Sequence, residues 1–140
     1  MLLNEVVRRF NNQLAGELFT FAEIKDHLDS VVDDINSKLN SNFPTFSEFQ
    51  ESYVGEPDYN FFPDRYIRSV VVMGAAFYFF ITDEEGAEVA PKYDYRYRDN
   101  IFLMERDYSD KVPLEYQAGD QGSLNNTSTY GIPEYYDDMF

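Results

Sequence analysis

The sequence contains no cysteine and no tryptophan, and it has a single histidine, His27. Without cysteine the chain can form neither disulfide bonds nor thiolate metal sites, which fits an intracellular product. No acid and nucleophile accompany His27 in a recognisable pattern, so we interpret it as an ordinary residue of a helix. The sequence also lacks a glycine-rich phosphate loop and the spacing of a calcium loop. It therefore predicts no enzyme, no cofactor and no metal.

Positive charge is also scarce. Eleven Lys and Arg residues stand against 26 Asp and Glu residues, which gives a formal net charge of −15 at pH 7. Affinity for nucleic acid depends on basic residues that neutralise phosphates, so direct DNA binding is not expected. The same acidity would suit the wall of a channel through which DNA passes.

Targeting and membrane signals are weak. The first ten residues lack a basic region followed by an apolar block, so no signal peptide is predicted. The longest apolar run is Pro63–Ile81, but its uncharged part, Ser69–Ile81, is shorter than the roughly 20 residues that span a bilayer. We predict that residues 63–81 form the buried central helix of a bundle, without a membrane. Within it, the small residues around Gly74 predict the closest approach of a neighbouring helix.

Apolar residues at spacings of three and four predict further helices around this one. Their expected bounds are Leu2–Ala15, Phe21–Leu39, a short helix that starts at the capping box in Pro44–Glu48 and ends near Tyr53, and Ala90–Tyr108. Asp26, Asp29, Asp33 and Asp34 lie off the apolar stripe of the second helix. The stripe of the last helix is formed by Tyr93, Tyr97, Ile101, Met104 and Tyr108. Capping boxes at Thr20 and Thr45 mark the starts of the second and third helices, and Thr82–Glu85 is a third match to the same pattern. The segment Gly55–Phe62 is rich in turn residues and is predicted as a loop. The predicted fold is all-α, a small bundle of four to five helices in one domain, residues 1–108.

Residues 109–140 have a different character, with glycines, a polar cluster, acidic residues and no helical period. A stretch of this length without secondary structure is uncommon inside a compact domain, although its aromatic residues are atypical of a disordered tail. We predict an extended C-terminal arm that orders on a partner or a neighbouring subunit. The residues predicted to bind the partner are Tyr130, Ile132, Tyr135, Tyr136 and Phe140.

A resemblance to a known family rests on the order of four segments. These are FTFAEIKDHLDSVVDDINSKLN, PTFSEFQ, FFPDRYIRSVVVMGAAFYFFITDEEG and YRDNIFLMERDY. Together they resemble small virion proteins of tailed bacteriophages, of the helical head-tail connector (adaptor) type. The resemblance covers about Phe19 to Tyr108 and leaves the N-terminal helix and the arm without a counterpart.

The resemblance implies a bundle of four or five helices that assembles as a homo-oligomeric ring, commonly of about twelve subunits, under the portal protein. Genomic DNA would pass through the ring without specific binding, and a C-terminal segment would reach onto the portal or an adjacent subunit. Such a protein would be made in the host cytoplasm and reside at the head-tail interface of the virion. A different hypothesis also fits the charge: a small acidic regulatory protein that mimics DNA and occupies a host nucleic-acid-binding protein.

Overall fold

The computed structural model describes residues 1–14, 18–83, 86 and 88–118, which are mostly helical. These residues form five helices: α1 Leu3–Gln13, α2 Phe21–Leu39, α3 Phe46–Ser52, α4 Asp64–Thr82 and α5 Ala90–Tyr108. Within the same ranges, β-structure is limited to two isolated bridges. The predicted all-α bundle is therefore confirmed, and the bounds of α2 and α5 agree with those predicted.

Helix α4 is the central helix, as predicted. It packs against α1, α2 and α5, and Val70, Val71, Ala75 and Ala76 are fully buried. By length and composition alone α4 could also cross a membrane. The core helix of a bundle meets the same criterion, and its contacts with three other helices account for its apolar character.

Gly74 lies where two neighbouring helices pack tightly against α4, as its lack of a side chain suggested. A Cβ added there would lie 2.6 Å from Tyr97 Cε1 on α5 and 2.7 Å from Val31 Cγ2 on α2. Both distances are far inside van der Waals contact. The missing side chain of Gly74 therefore allows α4 to fit between α2 and α5.

A π-helical turn, Ile67–Val71, interrupts the α-helical hydrogen bonding of α4. The side-chain amide of Asn100 on α5 donates a hydrogen bond to the backbone carbonyl of Ser69, at 2.8 Å. Turns of this kind occur often at functional sites. Here the turn forms one wall of a surface pocket between α4 and α5.

Two of the three predicted capping boxes are present. The prediction for Thr82 was wrong, because Thr82 is the last residue of α4 and its hydroxyl donates to the carbonyls of Tyr78 and Phe79 in the preceding turn. The backbone N–H of Thr20 donates to Glu23 Oε1 at 2.9 Å, and that of Thr45 donates to Glu48 Oε1 at 3.0 Å. These contacts satisfy backbone donors that the first turn of a helix leaves free. They explain why α2 and α3 begin where the sequence predicted.

The segment predicted as a loop after α3 contributes to the core. Tyr59 has no exposed surface and Phe62 is almost fully buried. The segment is held against α1 by backbone hydrogen bonds from Leu3 N to Pro57 O and from Tyr59 N to Met1 O, both 2.9 Å. Because these contacts join distant parts of the chain, local turn residues give no indication of them.

The chain remains packed beyond α5 as far as Ala118. Val112 is buried, and the ring of Tyr116 lies 5.2 Å from that of Phe43. The backbone N–H of Ala118 donates to the carbonyl of Asn40 at 3.1 Å, at the end of α2. The first part of the predicted arm therefore covers the bundle.

Candidate protein-binding surfaces

An open groove of about 440 Å³ runs between α2, α4 and α5. We call it the aromatic groove, since Phe77, Tyr78, Tyr97 and Phe102 all line it. Phe77 and Tyr78 are half-buried, whereas 59% of the Phe102 side chain is exposed. The groove thus presents aromatic surface to solvent beside charged side chains of α2 and α5.

Two tyrosines share one carboxylate at the base of this groove. The hydroxyls of Tyr78 and Tyr97 each donate a hydrogen bond to Asp34 Oδ2 at 2.5 Å. Buried phenols need a hydrogen-bond partner, and one from each of α4 and α5 meets the same residue of α2. The arrangement fixes the relative positions of the three longest helices.

Burial raises the pKa of Tyr78 and of Tyr97 above the ordinary value of 10.0, and the hydrogen bond to the Asp34 carboxylate raises it further. A phenolate at either position would face a negative carboxylate in a partly dry environment. Both phenols therefore stay protonated in the folded protein at pH values where unfolded tyrosines ionise.

We expect the free energy of unfolding to fall as the pH rises above 10, because the unfolded chain then releases protons that the folded state retains. The stabilisation is complete below the unfolded pKa and is lost as the pH approaches the folded values. Urea denaturation followed across this range measures it. The double variant Tyr78→Phe/Tyr97→Phe should show a smaller alkaline loss, and an unchanged pH profile in that variant would contradict the expectation.

A second aromatic feature extends the groove along α5. Tyr95 is 75% exposed and lies seven residues before Phe102, so both side chains project from the same face of the helix. Exposed tyrosine and phenylalanine side chains that adjoin a groove are typical of protein-protein contacts. We call Tyr95, Phe102 and the aromatic groove together the α5 aromatic surface.

A pocket of about 640 Å³ lies where the π turn of α4 faces the end of α5. Arg65, Arg106 and Lys111 line it together with Asp107 and Asp110. We call it the basic pocket, since cations outnumber carboxylates there in a chain of net charge −15. All three cations lower the pKa of Asp107, chiefly through its hydrogen bond with Arg106.

A second charged surface, on α2 and α3, carries mainly carboxylates, and we call it the acidic patch. The pKa of Asp33 is raised by burial and by the neighbouring charges of Asp29, Asp34 and Glu48. Three carboxylates therefore lie close enough to Asp33 to disfavour its charged form. This patch concentrates part of the negative charge that the composition shows.

The predicted partner-binding residues of the arm lie outside the described residues: Tyr130, Ile132, Tyr135, Tyr136 and Phe140. The single histidine, His27, is half-buried with its ring edge-on to Phe79 at 6.0 Å, and burial lowers its pKa. In the part of the chain that the structure describes, no three His, Asp or Glu side chains gather as metal ligands would. Sequence patterns indicated the tyrosine stripe of α5, but not that Asp34 joins it to α4.

Comparison of the chain with protein-family models, with curated protein sequences and with solved structures finds no significant match.

Proposed function

We propose that this chain is a structural, non-enzymatic virion protein of the head-tail connector type, which forms a ring under the portal through which DNA passes. The single observation that carries the proposal is the α5 aromatic surface, where Tyr95 and Phe102 are exposed next to an open groove. Aromatic surface of this kind is costly to leave in water and is usually covered by another protein. The resemblance over Phe19–Tyr108 suggests that the α5 aromatic surface is covered in a head-tail connector assembly.

The scaffold supports this role. Capped helices around a buried central helix give a rigid body, and side chains fixed by packing can hold an interface in position. A ring requires two different surfaces on each copy that fit each other, because every subunit contacts its neighbours head to tail. The α5 aromatic surface would serve as one of them, and the aromatic arm, residues 130–140, would reach the portal or the next copy.

The charge supports passage of DNA rather than its capture. A net charge of −15 makes the surface as a whole repel phosphates. A ring wall with this character would let DNA slide without adhesion. The basic pocket has too few cations to bind a DNA duplex, because binding strength scales with the number of phosphates neutralised.

Size-exclusion chromatography with light scattering, and negative-stain images with portal protein, test the proposal directly. We expect a ring, or a complex with portal. Phe102→Ser should weaken assembly by about tenfold or more, as the loss of an aromatic interface anchor does. Leu114→Ser is the matched control, since Leu114 is 83% exposed but lies away from the groove, and it should assemble normally.

Deletion of residues 130–140 should abolish portal binding while circular dichroism shows nearly unchanged helix content. Loss of folding would instead place the arm in the core. A protein that stays strictly monomeric and never binds portal would contradict the proposed function.

The acidic patch favours one other candidate, a small regulatory protein that mimics the charge of DNA. The negative charges of Asp29 and Glu48 act on Asp33 and raise its pKa, so carboxylates of α2 and α3 lie near one another on this face. Pull-down from a lysate of infected host cells separates the two functions. Recovery of a DNA-binding protein that high salt releases would support mimicry, whereas the connector should recover portal protein and be insensitive to neutralisation of this patch.

A further inference from the structure

We propose that the acidic segment Glu134–Asp138 of this chain binds the basic pocket of its own bundle. The segment reads EYYDD, with three carboxylates and two tyrosines, and residues 119–140 contain no Lys or Arg at all. The pocket offers the complementary chemistry in Arg65, Arg106 and Lys111. The proposal concerns the isolated chain and does not depend on the connector function.

The pocket has positive charge available for an incoming carboxylate. Arg106 is engaged by Asp107, with Nε 2.8 Å from Oδ1. Lys111 Nζ donates to the carbonyl of Asp107 at 3.1 Å and forms a long, exposed ion pair with Asp110 Oδ1 at 3.8 Å. Arg65 and Arg68, by contrast, form no ion pair with any residue in the described ranges. These two arginines are on the first turns of α4, at and beside the pocket.

Aromatic side chains of the segment would also find a surface there. The guanidinium of Arg65 lies 4.8 Å from the centre of the Tyr66 ring, and Tyr66 in turn lies 5.3 Å from Tyr108. A planar guanidinium over a phenol ring is a platform on which a further tyrosine can stack. The pocket can therefore recognise a tyrosine and a carboxylate side by side.

The aromatic groove is a poorer match for the same segment. Its lining includes the carboxylates Asp34, Asp94 and Glu105 against Lys38 and Arg98. Arg98 is already paired with Asp94, Nε to Oδ1 at 2.7 Å. The three carboxylates of the segment would be repelled by the net negative charge of this groove. The basic pocket is therefore the better electrostatic match.

The length of the chain allows binding within one molecule. Lys111 of the pocket is seven residues from Ala118, where the described chain stops, so the two are at most about 25 Å apart. The sixteen residues from Ala118 to Glu134 can span roughly 50 Å when extended. A tether of this length gives an effective concentration of about 1 mM, which favours the segment of the same chain over that of a second copy.

The absence of cysteine permits a direct test. A spin label on Met139→Cys in the full chain, with isotope labelling of the same chain, should broaden amide NMR signals at Arg65, Ser69 and Lys111. Most of this broadening should disappear in the pocket variant Arg65→Gln/Lys111→Gln. It should also disappear in a variant that leaves the bundle unchanged and neutralises the segment, Glu134→Gln/Asp137→Asn/Asp138→Asn. Lys92→Gln/Arg96→Gln removes two exposed charges from the other end of α5 and should leave the broadening intact.

Four outcomes would overturn the proposal. Broadening centred on Tyr78 and Phe102 would place the segment in the aromatic groove. Broadening seen only when spin-labelled chain is mixed with separate isotope-labelled chain would mean that a second copy supplies it. No localised broadening, or broadening that persists unchanged in the Arg65→Gln/Lys111→Gln variant, would mean that the pocket does not bind the segment.

Discussion

Replacing Tyr59 with alanine should lower the free energy of unfolding by about 3–5 kcal/mol, the cost typical of deleting a large buried aromatic side chain. Tyr59 is fully buried, and its ring stacks on that of Phe46 with 4.1 Å between centroids. The rings of Phe49, Phe61 and Phe62 contact it from other sides. The alanine variant would leave a cavity that these rigid neighbours cannot fill.

Urea denaturation followed by circular dichroism measures the loss. Tyr59→Phe is the informative companion, because it keeps the ring and removes only the hydroxyl, which donates to the carbonyl of Pro44 at 2.5 Å. That variant should lose about 1 kcal/mol. Tyr53→Ala serves as control, since Tyr53 is 43% exposed and contacts only the edge of the same cluster. A Tyr59→Ala variant no less stable than Tyr53→Ala would show that the cluster does not hold α3 and its following loop on the bundle.

The contrast between Tyr59 and α2 shows which parts of the fold the sequence could predict. Helix α2 has a capping box at Thr20 and a regular apolar stripe, and both signals are local, so its bounds were predicted correctly. Tyr59 stands in a segment of turn residues and has no periodic neighbours. Its burial arises from hydrogen bonds between this segment and the start of α1, a contact between residues far apart in sequence.

The aromatic groove shows the same difference between local signals, which the sequence reveals, and contacts between helices, which it does not. The tyrosine stripe of α5 could be recognised from its period, but Asp34 was interpreted as a polar residue on the exposed side of α2. Only packing brings Tyr78 and Tyr97 onto its carboxylate. A partial signal exists, since two tyrosines predicted to face the core must find hydrogen-bond partners there. The π turn of α4 had no recognisable signal in the sequence.

The arm remains a prediction, as does the connector function that uses it. Composition singled out Tyr130, Tyr135 and Tyr136 as residues without a local helical face to bury them. The structure adds two surfaces to which such residues could bind, the α5 aromatic surface and the basic pocket, and the two differ in charge. The experiments above distinguish them because each variant changes only one surface.

Gly74→Leu should destabilise the fold by about 1–3 kcal/mol through overpacking at the crossing of α2, α4 and α5. Even a single methyl group would lie 2.6 Å from Tyr97 Cε1 and 2.7 Å from Val31 Cγ2. Tyr97 cannot swing away freely, because its hydroxyl is bonded to Asp34 on the facing helix. Relief of the clash would therefore require α2 or α5 to move.

Gly74→Ala gives the sharper test. Helix propensity alone predicts that this variant is more stable than the parent, whereas a steric clash predicts that it is less stable. In an uncrowded helix, Gly→Ala stabilises by about 1 kcal/mol through propensity alone. At Gly74 we expect the clash to outweigh this gain, so that Gly74→Ala is less stable than the parent and Gly74→Leu is less stable again. Thr82→Leu adds bulk at an exposed position of the same helix and should change stability by less than about 0.5 kcal/mol. Stabilisation by Gly74→Ala, or an unchanged melting temperature in Gly74→Leu, would mean that the helices do not cross as closely at this residue as the fold requires.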